Sequence, residues 1–143
     1  MSGKSILYAV LTGFLIFSLV KMFKTDTRNP NAVINRYFSQ WESNNTTGMY
    51  PLLSQRAKDE LRKQKVSNVT DYYGYFVDHR NDLSGYQITS QEINDNRGRY
   101  WVTLKLLDFA GREYEEKAVF FLVKQQDGWR VDSWEKNGNY ALP

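Results

Sequence analysis

Three different spacings of apolar residues divide the chain. From Ser5 to Phe23 the pattern is continuous: nineteen residues whose only charge is Lys21, near the end of the run. As a helix such a run spans roughly 28 Å, close to the hydrocarbon thickness of a bilayer. Ile6, Leu7, Val10, Leu11, Phe14, Leu15, Phe17 and Leu19 supply its lipid-facing surface, with Lys4, Lys21, Lys24 and Arg28 in headgroup range on either side. The rival reading is a cleaved signal peptide. The run ends in Val20-Lys21-Met22-Phe23, without a small-x-small cleavage pattern and without a cysteine for lipidation, so a retained single span is expected. The organisation that follows is an anchor over residues 1–24, a polar linker over 25–30, a folded body over 31–136 and a tail over 137–143.

In the body the spacing turns first to three and four. Val33, Ile34, Tyr37, Phe38 and Trp41 mark an amphipathic helix over Asn31–Glu42, introduced by Asn29-Pro30. A polar break, Ser43 to Thr47, ends it. Met49, Tyr50, Leu52 and Leu53 form a short helical turn, Ser54 caps a piece from Gln55 to Lys65, and Val69, Tyr72, Tyr73 and Phe76 mark a helix over Asn68–Asp78.

From Tyr86 the period is two. Tyr86 and Ile88 open one strand. A second places Tyr100, Val102, Leu104 and Leu106 opposite Trp101, Thr103, Lys105 and Leu107. A third carries Tyr114, Ala118, Phe120 and Leu122. A fourth alternates Trp129, Val131 and Ser133 with Arg130, Asp132 and Trp134, and Asn/Asp/Gly-rich connectors supply the hairpin turns. Helices followed by consecutive antiparallel strands predict an α+β layer pair, about three helices covering one face of a four-stranded antiparallel sheet.

Composition removes several functions. With 143 residues the chain holds one folded body, and 15% aromatic content argues against disorder. There is no cysteine and a single histidine, His79, which excludes thiolate chemistry and a histidine-rich metal site; no cofactor is expected. The net charge of +3 belongs to the first thirty residues, where Lys4, Lys21, Lys24 and Arg28 oppose only Asp26, and the rest is balanced. A body without net field is no partner for nucleic acid.

Candidate chemistry is sparse. Asp71 and Asp78 share a face of their helix away from Tyr72, Tyr73 and Phe76, which places the carboxylates in water, and His79 lies at the helix end. The inward strand positions are apolar, so no catalytic residue is assigned. The basic run Arg56, Lys58, Arg62, Lys63 and Lys65 is interleaved with Asp59 and Glu60, as on a solvated helix face; its functional reading is docking on anionic headgroups. Glu113, Glu115 and Glu116 form an acidic patch on the third strand. Trp101, Leu107 and Trp134 point away from the helices, and with Tyr140 of the tail they have the composition of a protein interface. Either a partner or the folded-back tail covers that face.

Tyr37-Phe38 with Trp41 in the first helix, the turn Met49-Tyr50-Pro51-Leu52-Leu53-Ser54, and the closing strand Gly128-Trp129-Arg130-Val131-Asp132-Ser133-Trp134 resemble the nuclear transport factor 2-like superfamily over about residues 30–136. The resemblance implies a cone, with the helices inside a curved sheet. Membrane-tethered members imply a scaffold outside the cytoplasm that contacts proteins. Charge alone, denser after the span than before it, would place the body in the cytoplasm. The partners expected are the bilayer, integral membrane proteins and a second copy through the sheet face. Enzymatic members imply the alternative, a small apolar ligand or an isomerase- or dehydratase-like reaction in a cone pocket lined by Tyr37, Tyr50, Tyr73 and Trp129. The leading expectation is a non-catalytic, single-pass accessory or assembly subunit.

Overall fold

The computed structural model describes residues 26–143. The expected anchor lies outside the described residues. No helix among the described residues is long and apolar enough to cross a membrane.

The polypeptide enters along the turn between two strands. Thr27 accepts the Trp129 N–H at 2.7 Å and donates its hydroxyl to the Asp127 carbonyl at 3.2 Å. Gly128 permits this crossing: its φ is +125°, and a Cβ there would meet the Thr27 carbonyl at 2.7 Å. Residues 26–30 of the expected linker therefore lie against the body.

Helix α1 (Pro30–Glu42) starts where Asn29 accepts the N–H groups of Asn31 and Ala32 and Pro30 fixes the first helical φ. The short α2 (Thr46–Met49) runs into a 3₁₀ turn at Tyr50–Leu52. Ser54 caps α3 (Gln55–Lys63), and Asn68 caps α4 (Val69–His79). Four α-helices thus stand among the described residues where about three are read from the periodicity.

Five strands follow in sequence order: β1 (Asp82–Ile93), β2 (Arg97–Leu107), β3 (Glu113–Gln125), β4 (Gly128–Lys136) and β5 (Asn139–Ala141). Each pairs antiparallel with its neighbours in chain order. Two corrections concern the sheet's edges. β1 begins at Asp82 rather than near Tyr86; as an edge strand it buries only Leu83 fully, so its alternation is weak. The tail adds a short fifth strand to β4 instead of folding over the sheet's face.

The sheet curves through bulges. In β1, Ser84 and Thr89 fall out of register, and their hydroxyls donate to the Lys105 and Trp101 carbonyls of β2. In β4 the extra residue is Asp132, because Phe121 pairs with Ser133 and Leu122 with Val131. This bulge shifts the alternation by one, so Trp134 faces inward and is 6% exposed. The outward orientation expected from strict period two is overturned there. Asp132 is held from outside the strand: Ser54 Oγ donates to it at 2.6 Å and Arg56 Nε at 2.9 Å.

Between helices and sheet lies the core. Tyr37, Phe38, Trp41, Phe120 and Trp134 interlock, with Phe38 to Phe120 at 4.9 Å edge to face and Phe120 to Trp134 at 5.3 Å stacked. Tyr73, expected to face this core, is 58% exposed; Tyr72 and Phe76 fill the buried stripe of α4.

Candidate functional site

Alternation sends half of each central strand outward, and no helix among the described residues covers that half. On β2 and β3, Trp101 pairs with Val119 and Arg99 with Phe121. The Arg99 guanidinium lies 5.6 Å from the Trp101 ring and 5.7 Å from the Phe121 ring. Tyr140 of β5 tilts over Phe121 at 5.7 Å while staying 71% exposed. Together these residues edge two shallow depressions. One, of about 500 Å³, is lined by Ile93, Arg99, Phe121, Ser133 and Tyr140. The other, of about 340 Å³, is lined by Thr89, Trp101, Thr103, Val119 and Glu135.

Three of the four expected interface residues share this outer face. Trp101 and Leu107 are half-buried and Tyr140 is exposed. Trp134 is not with them, for the reason given by the bulge. Sequence reading missed Val119, Phe121 and Arg99, which complete the patch. Their signal was the same alternation that placed Trp101, applied to the third strand.

The four residues expected to line a cone pocket do not share a cavity. Tyr37 and Trp129 are buried core residues, at 0% and 4% exposure. Tyr50 is half-buried on Tyr72, with the Lys58 ammonium 5.0 Å above its ring. Tyr73 points into solvent. The interior axis is occupied by packed rings instead.

At the cone's mouth, where α4 hands over to β1, the interior contains a cation. The Arg80 guanidinium sits 4.4 Å from the Trp134 ring, 4.9 Å from Trp41 and 5.8 Å from Phe76. It donates to the Tyr37 hydroxyl at 3.3 Å and to the Leu142 carbonyl at 2.7 Å. Burial pulls its pKa down, but the Tyr37 and Tyr72 hydroxyls pull harder the other way, so the net shift is upward. Tyr72, deeper inside, has a hydroxyl without a hydrogen-bond partner among the described residues; burial first and Tyr37 second raise its pKa well above the usual value. Burial also pushes Tyr100 up to about 12.

Glu116 faces inward too. It pairs across with Leu104, on the inner register, where the reading of the strands expected no acid. Its carboxylate is held by Lys136 at 2.8 Å. His79 is exposed, its ring stacked on Tyr75 at 4.2 Å. Among the described residues no group of three or more acidic or histidine side chains could hold a metal ion.

No curated protein matches the sequence. Among the solved structures that share the fold are two from bacteria. A SEC-C motif containing protein from Rhodopseudomonas palustris superposes with a TM-score of 0.60 at 9% identity, over 78% of this chain and 80% of that one. A calcium/calmodulin-dependent protein kinase type II association-type domain from Thiobacillus denitrificans gives 0.54 at 11% identity, over 76% and 93%. The sequence itself is more specific, since residues 29–138 match the family described as the NTF2-like N-terminal transpeptidase domain. The chain belongs to that family, and its cone of helices in a curved antiparallel sheet is the family's NTF2-like fold.

Proposed function

We propose that the protein is a membrane-tethered, non-catalytic binding module whose outer sheet face contacts an integral protein of the same membrane. One observation carries this reading. The central strands expose a continuous patch, Trp101, Val119 and Phe121 with Arg99 and Tyr140, over which no element of the described residues is laid. The interior offers less to catalysis. Its axis is filled by rings, and its one inward acid identified above, Glu116, is engaged by Lys136. A general base needs an oriented acid or base with room beside it for substrate.

Geometry favours a lateral partner. The polypeptide enters beside Asp127 and Trp129, at the end of the sheet that holds the β1–β2 and β3–β4 turns. With residues 1–24 as an anchor, the strands run away from the bilayer and the outer face looks sideways along it. Anchoring both proteins in one membrane raises their effective concentration, so a patch this small suffices. The family's description also ties such domains to transpeptidases, which makes a transpeptidase a partner of suitable class.

The test uses the full chain in its native membrane with a photo-crosslinking residue at position 101, and in a second variant at position 58 on the helical side. The expected result is one heavier adduct from position 101, none from position 58, and retention of the chain in alkaline-washed membranes. An adduct of twice the chain's mass would assign the face to a second copy. Release of the chain into solution, or equal labelling from both positions, defeats the reading.

A further inference from the structure

The cone's mouth holds a feature that the outer-face reading does not use. Beside Arg80 opens a cavity of about 270 Å³, lined by Tyr75, His79, Arg80, Trp134, Lys136 and Leu142. We propose that this mouth is a binding site for a small organic monocarboxylate, anchored by the Arg80 guanidinium and walled by Trp134 and Tyr75.

Charge is the first reason. Arg80 is packed among three aromatic rings, and both of its hydrogen bonds go to neutral oxygens, the Tyr37 hydroxyl and the Leu142 carbonyl. Among the described residues no carboxylate pairs with it. The rim's other close cation, Lys136, is already neutralised by Glu116 at 2.8 Å. One positive charge, part-buried against aromatic rings at the cavity's edge, therefore has no acidic partner among the described residues, which matches a single carboxylate. Rings beside the guanidinium and the C-terminal end of α4 offset part of the cost, but neither supplies a full negative charge.

Donor geometry is the second. A guanidinium presents its N–H groups as a planar fork that suits the two oxygens of a carboxylate, and such charge-assisted pairs are about twice as strong as neutral ones. The chain already shows the recognition in weaker form. The Leu142 carbonyl accepts from Arg80 Nη2 at 2.7 Å and from Trp134 Nε1 at 3.1 Å, so a guanidinium and an indole converge on one oxygen. A ligand carboxylate takes up the fork's unspent N–H groups, or displaces the tail, which is held by a strand of only three residues. Walls of indole, phenol and the Leu142 side chain favour an organic acid over a strongly hydrated inorganic anion.

The full chain in nanodiscs is titrated with 3-phenylpropionate and its neutral amide, and with the pentapeptide Asn-Tyr-Ala-Leu-Pro as free acid and as amide. The indole N–H resonances of Trp41 and Trp134 report binding. An acid is expected to bind about tenfold or more tightly than its amide. Saturation by 3-phenylpropionate alone assigns the site to free small acids, and saturation by the peptide acid alone assigns it to a peptide C-terminus; either supports the site. Arg80→Met abolishes the preference. Should that variant fail to fold, Arg80→Lys, which keeps the charge and loses the fork, is expected to cut the preference several-fold. Equal binding of acid and amide, no saturable binding of any acid below about 10 mM, or an unchanged preference in Arg80→Lys overturns the proposal.

Discussion

Phe120 and Phe121 are neighbours in one strand and have opposite fates. Phe120 is fully buried, in contact with Tyr37, Phe38 and Trp134. Phe121 is half-exposed, sharing the outer face with Arg99 and Tyr140. The same comparison holds along β2: Tyr100, Val102 and Leu104 turn inward, Trp101 and Thr103 outward. Residue type does not separate Phe120 from Phe121, or Tyr100 from Trp101. Coverage does, because the described helices sit on one face only. The inner face therefore sets stability, and the outer face is left without a covering element among the described residues.

The strongest way to break this comparison is Asp132→Val, which keeps the residue but frees it from Ser54 and Arg56 so that the bulge can straighten. Without the bulge, strict alternation would turn Trp134 outward and draw Ser133 into the core. A loss of about 4 kcal/mol or more is expected, enough to abolish a cooperative urea transition in a domain of ordinary stability. An unchanged transition would show that β4 re-registers without cost.

Substitution at the paired phenylalanines comes next. Phe120→Ala should lower the unfolding free energy by about 3–5 kcal/mol, against about 1 kcal/mol for Phe121→Ala. Equal losses in chemical denaturation would mean that the outer face is part of the stability core.

Alkaline pH acts more gently, and on the inner face alone. Tyr100 ionises near 10 in the unfolded chain and at about 12 when folded, because burial penalises the phenolate; Tyr72 is raised for the same first reason. The unfolded chain loses these protons first, so this contribution is complete below pH 10 and falls away as pH rises towards 12. Urea midpoints at pH 9, 10 and 11 should decline across that window. In parallel, absorbance titration should show a fraction of the tyrosines ionising late, Tyr72 and Tyr100 among them.

The smallest stability effect belongs to the outer patch and to exposed helix positions. Trp101→Ala is expected to change stability by about 1 kcal/mol or less while removing the adduct formed by a photo-crosslinking residue placed at Thr103 on the same face, and Tyr73→Ser by about 0.5 kcal/mol or less. A large thermal shift in Tyr73→Ser would return that ring to the core.

Local chemistry made much of the fold legible. Asn29-Pro30, Ser54 and Asn68 announce their helices because a side-chain oxygen must satisfy free N–H groups at each start. The core stripes of α1 and α4 and the faces of β2 and β3 follow from periods of 3.6 and two. The candidate sites were less legible. Trp101 could be placed outward because β2 is regular, whereas Trp134 could not, since nothing in Val131-Asp132-Ser133 marks a bulge by itself. Arg80 was hidden more deeply. It directly follows a helix end, where a basic residue is ordinary, and its significance depends on Trp41, Trp134 and Leu142 arriving from distant parts of the chain.

By itself, then, the sequence determined the order of helices and strands, the apolar face of each regular element and the absence of thiol chemistry. These follow from spacing and composition, which act over a few residues. Only the tertiary structure decided which way Trp134 faces, that the tail joins the sheet, and that Arg80 ends among aromatic rings with no acidic partner among the described residues. Each of those depends on contacts between residues far apart in the chain, above all the hold of Ser54 and Arg56 on Asp132, and no local pattern encodes them.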